Sequence, residues 1–212
     1  MISESQAQTF LKASGLSYDD SLDAGPVGYD VVREFDDPTT GFHAVAFKNA
    51  NDEYIISFRG TEPNFQDAYT DLNLGWNQWT KNRNEVLNFL GGLAGQIAGV
   101  SFTGHSLGGG LAQYAAYEYA NVTDHAQFTL TTFNAFGGVQ GIVQNLASGQ
   151  SYDSTRLAGI DVNHFRVADD IVSRLGEGHV GGNVRTIDLP TPNFYAAHLL
   201  SQSFLNPSYA GY

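Results

Sequence analysis

The sequence predicts an α/β architecture with a central, mostly parallel sheet. Two observations carry that reading. Beyond residue 60, strand-like runs alternate with helix-like ones, the rhythm of parallel strands joined by crossover helices. Before residue 60, three strand-like runs follow one another across short turns, as an antiparallel meander at the edge of such a sheet would. With 212 residues, 42% hydrophobic and 24 of them glycine, the chain is long enough for one domain, 1–212, with a substantial core.

The elements read in order as follows. Ser3 to Ala13 places Ala7, Phe10 and Leu11 on one side behind a serine cap, a short amphipathic helix. Tyr29 to Phe35, Phe42 to Lys48 and Tyr54 to Phe58 are the meander strands, separated by turn-rich Asp36–Gly41 and Asn49–Asp52. Trp76 to Ala98 is helical, with Trp76, Trp79, Val86, Leu90, Leu93 and Ile97 near one face. Val100 to Thr103 is a strand and Leu107 to Ala120 a helix. Phe128 to Phe133 is a strand and Val139 to Ala147 a helix. His164 to Val167 and Val184 to Leu189 are strands, and Tyr195 to Phe204 is a short closing helix.

Composition excludes several functions. The formal net charge of −12 argues against nucleic acid as partner and against electrostatic docking on anionic membranes. With no cysteine there is no disulfide, thiolate catalysis or cysteine-held metal. No H-E-x-x-H occurs, and no cofactor is expected. The longest low-charge region, Val86 to Leu111, is broken by glycines and His105, so no transmembrane segment is expected. The start, Met1-Ile2-Ser3-Glu4-Ser5, lacks the basic and apolar regions of a signal peptide, which suits the cytoplasm or another export route.

The chemistry centres on Gly104-His105-Ser106-Leu107-Gly108, set between a strand and a helix. A serine inside G-x-S-x-G at that junction reads as a nucleophile elbow, a turn so sharp that larger flanking residues would clash. The serine needs a base oriented by a carboxylate, in the chain order serine, acid, histidine. His43 precedes Ser106, His105 lies within the turn, His125 follows its helix, and His164 begins a strand at the wrong end. His179 and His198 remain, and position at the start of the closing helix favours His198. Asp169 and Asp170 both follow a strand's carboxyl end, where sites of open parallel sheets form, and spacing does not choose between them. Asp188, inside a strand, is a weaker third. Oxyanion donors are expected from the Leu107 amide and from Thr61, whose N–H the turn at Gly60 would aim inward.

Phe58-Arg59-Gly60-Thr61, Tyr69-Thr70-Asp71-Leu72, Thr103 to Ala112, and Asp170-Ile171-Val172 together resemble the class 3 (fungal-type) lipases, in that family's order. The resemblance spans about Val27 to Leu200. It implies the α/β-hydrolase fold, with helices on both faces of the sheet, and a serine hydrolase of lipid acyl esters. Ser106 would be the nucleophile, Asp170 the acid and His198 the base. Thr61 and Leu107 would form the oxyanion hole, with Asp71 steadying the Thr61 hydroxyl. It also implies a lipid or other acyl-ester substrate, transient contact with a lipid surface, and an extracellular or secreted setting. The segment Glu62 to Tyr69, where the family carries its lid, is short. Two other functions fit the same residues: a catalytically inactive hydrolase-fold binding module, or the catalytic domain of a larger secreted lipolytic protein.

Overall fold

A computed structural model describes residues 2–19, 22, 25–60, 72–122, 127–188, 193 and 197–199. Seven strands form one sheet: β1 (Tyr29–Asp37), β2 (Phe42–Asn49), β3 (Glu53–Phe58), β4 (Gly99–His105), β5 (Phe128–Phe133), β6 (Asp161–Val167) and β7 (Asn183–Ile187). Their order across the sheet is their order in the chain. β1 and β2 pair antiparallel, as do β2 and β3, and every later pair is parallel. The expected meander is therefore the antiparallel edge of a parallel sheet.

That strand order decides where the helices lie. Right-handed crossovers that always step the same way deposit every connecting helix on one face. The helices α2 (Leu72–Gly92), α3 (Leu107–Tyr119) and α4 (Val139–Asn145) share one large core with that face. Trp79, Val86 and Leu90 from α2 and Leu111 and Tyr114 from α3 pack there with Val100, Phe102 and Leu130. The opposite face receives α1 (Glu4–Leu16), whose Phe10, Leu11 and Ala13 cluster with Val45, Phe47, Ile55 and Phe133. Period-two alternation explains the split along β4: Val100 and Phe102 enter the large core, and the Thr103 hydroxyl bonds that of Ser14 in α1 at 3.0 Å. The Ser57 hydroxyl donates to the Ala13 carbonyl at 3.0 Å, a second polar rivet between α1 and the sheet.

The boundaries hold a few corrections. Ser3 and Gln6 form a capping box that starts α1, and the helix runs on to Leu16 because Ser14 is buried against the sheet. The helix expected to reach Ala98 stops at Gly92. Gly91 and Gly92 disfavour helix, and Gly95 adopts φ +78°, so Leu93 and Ile97 reach the core from a turn. β6 begins at Asp161, so His164 stands mid-strand and buried rather than at the strand's start. β7 ends at Ile187, which leaves Asp188 just beyond it. Most of the expected closing helix lies outside the described residues, but Ala197 and His198 are helical. Trp79, Tyr114, Tyr117 and Tyr119 are buried, as core packing requires. Among the described residues no helix is long and apolar enough to cross a membrane.

Candidate active site

Ser106 sits between the last residue of β4 and the first of α3, with φ 57° and ψ −125°. A side chain other than glycine's is held there only when its surroundings over-determine the backbone. Those surroundings are visible. The Ser106 N–H donates to the Phe133 carbonyl at 3.1 Å, and the Ser106 carbonyl accepts from Gly109 N at 3.1 Å. A Cβ on Gly104 would collide with the Gly108 carbonyl, and one on Gly108 with the Phe58 carbonyl. Both glycines are therefore demanded by close backbone approach.

The Ser106 Oγ lies 2.8 Å from His198 Nε2, and His198 Nδ1 lies 2.9 Å from Asp170 Oδ1. A carboxylate only accepts, so the Nδ1 proton points to Asp170 and leaves Nε2 to accept from the serine hydroxyl. Asp170 is wholly buried and His198 is 2% exposed. Backbone N–H groups of the short 3-10 helix Val172–Arg174 hold the carboxylate: Val172 donates to Oδ1 and Ser173 to Oδ2, each at 3.1 Å. The neighbouring Asp169 is exposed. The adjacent aspartates that spacing left equal are thus separated by which one the turn faces inward.

His105, His164 and His179 have structural partners. His179 Nε2 donates to the Ala135 carbonyl at 2.9 Å, and its ring packs 4.6 Å from that of His164. Burial holds the His164 pKa down to about 3, with His179 acting in the same direction, and burial lowers His179 as well. His105 Nε2 donates to the His198 carbonyl at 2.6 Å, and its Nδ1 meets the Tyr18 hydroxyl at 3.1 Å. Burial first, then the nearby His198, hold His105 down to about 3, so its ring is neutral near pH 7.

Leu107 opens α3, where the first amides have no intrahelical acceptor. Gly60, just past β3, lies against Ser106, since a Cβ on it would stand 3.3 Å from the serine Cβ. Thr61 and Asp71 lie outside the described residues, as does the segment 62–69 where a lid is expected. Sequence reasoning did not single out Asn134. It follows β5 with φ 46°, and its amide donates to the carbonyls of Ala197 and His198 at 2.8 and 3.1 Å. The available signal was its place at a strand's carboxyl end beside β4, where polar residues of such sheets meet the site.

The model of a phospholipase-like family, the Tle-like phospholipase domain, matches residues 6–191. The chain belongs to this family. Membership makes it a lipase- or phospholipase-like hydrolase of carboxylic esters. Solved structures share its fold. A deletion mutant of the Rhizomucor miehei lipase in complex with its propeptide superposes with a TM-score of 0.71 at 16% identity, over 89% of this chain and 68% of that one. A triacylglycerol lipase from Penicillium expansum reaches 0.70 at 14%, over 92% of this chain and 81% of that one. Lipase II from Rhizopus niveus reaches 0.61 at 16%, over 83% and 77%. The fold is thus that of the fungal-type lipases, as the motifs implied. No curated protein is a significant sequence match.

Proposed function

We propose that Ser106 is the nucleophile of a lipid acyl-ester hydrolase, with His198 as base and Asp170 as the carboxylate that holds it. The observation that carries this reading is the run of contacts, 2.8 Å and 2.9 Å, from a serine held at positive φ to a buried carboxylate. Ser106 Oγ attacks the ester carbonyl while His198 Nε2 takes its proton, and Asp170 stabilises the imidazolium. The amides of Leu107 and Thr61 receive the oxyanion, with Asp71 supporting the Thr61 hydroxyl. His198 returns the proton to the leaving alcohol. It then activates water to release the acid and restore the serine.

The chain works as one domain, and its substrate is a neutral or zwitterionic lipid ester. A net charge of −12 opposes anionic lipid sheets. Ile171 and Leu199, each 39% exposed, directly follow Asp170 and His198 and give the site an apolar rim for transient contact with a lipid surface. A fluorophosphonate probe should label the wild type and not Ser106→Ala. A panel of phosphatidylcholines and triacylglycerols of graded chain length then identifies the ester. Full ester hydrolysis by purified Ser106→Ala would overturn the assignment.

A further inference from the structure

We propose that His105 and Asn134 are positioning residues that hold His198 by its main-chain carbonyl, and that Tyr18 supports the His105 tautomer that does so. The proposal rests on His198 being the base.

His198 belongs to no strand; of the described residues around it, 197 and 198 are helical. Its ring nitrogens are both committed, Nδ1 to Asp170 and Nε2 to Ser106, so further placement must come through the main chain. Three hydrogen bonds do this. His105 Nε2 reaches the His198 carbonyl at 2.6 Å, and Asn134 Nδ2 reaches the same oxygen at 3.1 Å and the Ala197 carbonyl at 2.8 Å. The donors end β4 and follow β5, so the base is referenced to the strand that carries Ser106 and to its neighbour.

Asn134 also reaches the strand that leads to the acid. Its Oδ1 accepts from Val167 N at 2.9 Å, at the end of β6 and three residues before Asp170. One planar amide thus spans the strand that carries the acid and the turn that carries the base. Its orientation is unambiguous, because two carbonyls need donors and one N–H needs an acceptor. The positive φ of Asn134 aims it there, a conformation asparagine tolerates better than most residues.

His105 has a single workable tautomer. A carbonyl only accepts, so Nε2 must carry hydrogen, and Nδ1 then accepts from the Tyr18 hydroxyl. That hydroxyl is wedged against Gly60 at the end of β3, where a Cβ would overlap it. Tyr18, two residues past α1, therefore touches both the strand end beside Ser106 and the histidine that grips the base. A buried histidine merely satisfied by neighbours would need none of this alignment.

The test uses the full chain with a short p-nitrophenyl ester, thermal unfolding to confirm the fold, and the far-downfield proton resonance of the His198 Nδ1–H to Asp170 bond, assigned by its absence in His198→Ala. In His105→Phe and Asn134→Ala, kcat should fall roughly 10- to 100-fold at nearly unchanged KM, since a misplacement near 1 Å costs about that much. The downfield resonance should shift or broaden in both. His105→Gln, which keeps a donor, should recover most of kcat, and Tyr18→Phe should lose roughly threefold. Folded His105→Phe and Asn134→Ala proteins with wild-type kcat and resonance would overturn the proposal, as would His105→Gln falling as low as His105→Phe. If the two truncating variants do not fold, His105→Gln and Tyr18→Phe decide alone: the proposal stands if His105→Gln keeps most of kcat and Tyr18→Phe loses some at unchanged KM, and otherwise falls. A wild type that hydrolyses no ester yet shows a clamp-dependent resonance would fail the functional reading and leave the clamp standing.

Discussion

Mild acid should destabilise this protein well above the pH at which ordinary carboxylates titrate. His105 and His164 are both buried, and each is held at about 3 against an ordinary value of 6.5. The folded protein refuses protons that the unfolded chain accepts. This contribution is therefore complete above pH 6.5 and is lost as the pH falls from 6.5 toward 3. Within that window unfolding takes up about two protons, a slope of roughly 3 kcal/mol per pH unit for the pair. From pH 6.5, where the unfolded histidines are half protonated, to pH 5 the loss is about 3 kcal/mol, a large share of the 5–15 kcal/mol typical of a folded domain. His179, lowered mainly by burial, acts in the same sense. Urea unfolding at pH 7, 6 and 5, followed by fluorescence of the buried Trp79, measures the slope. His164→Gln should reduce proton uptake by about one. A wild-type change below about 1 kcal/mol between pH 7 and 5, or an unaltered slope in His164→Gln, would refute the reasoning.

Two further outcomes follow from the packing around Ser106. Gln113 is fully buried; its Nε2 donates to the carbonyls of Gly109 and Phe136, and its Oε1 accepts from the N–H groups of Gly138 and Val180. Gln113→Ala strands the last three of these partners and should cost about 3 kcal/mol in chemical denaturation, with early hydrogen exchange at Gly138 and Val180. Ser106→Gly removes the strain of a side chain at φ 57° and should raise stability by about 1 kcal/mol in the same assay while abolishing ester hydrolysis.

Much of the sheet was legible because short apolar and β-branched runs are bounded by turns rich in Gly, Asp, Asn and Pro. The start of β6 was not. Asp161 and Asn163 are poor strand formers, yet pairing of Asp161 with Thr129 and of Asn163 with Thr131 draws them into the sheet. The overrun of α2 has the opposite cause: apolar spacing continues through Leu93 and Ile97 where glycines have already ended the helix. The elbow announced itself locally, since strand, glycines, serine and helix are contiguous. Asp170 and His198 needed partners 28 residues apart in the chain, and the choice over Asp169 and His179 turned on contacts that no spacing encodes. Asn134 is the extreme case, a lone asparagine whose value comes from residues 33 to 64 positions away.

The sequential strand order gives synthesis a timetable. Strands are laid down from one edge of the sheet to the other as the chain emerges, so β4 and its strained serine precede the turn that carries the base. His198 follows Ser106 by 92 residues, roughly 5 to 20 seconds of translation. Until that turn docks, Ser106 is an ordinary alcohol with no group to take its proton. On the proposed roles, a nascent chain, or one clipped after β7, has a nucleophile without its base. On the same roles, detaching the residues around His198 is enough to silence Ser106.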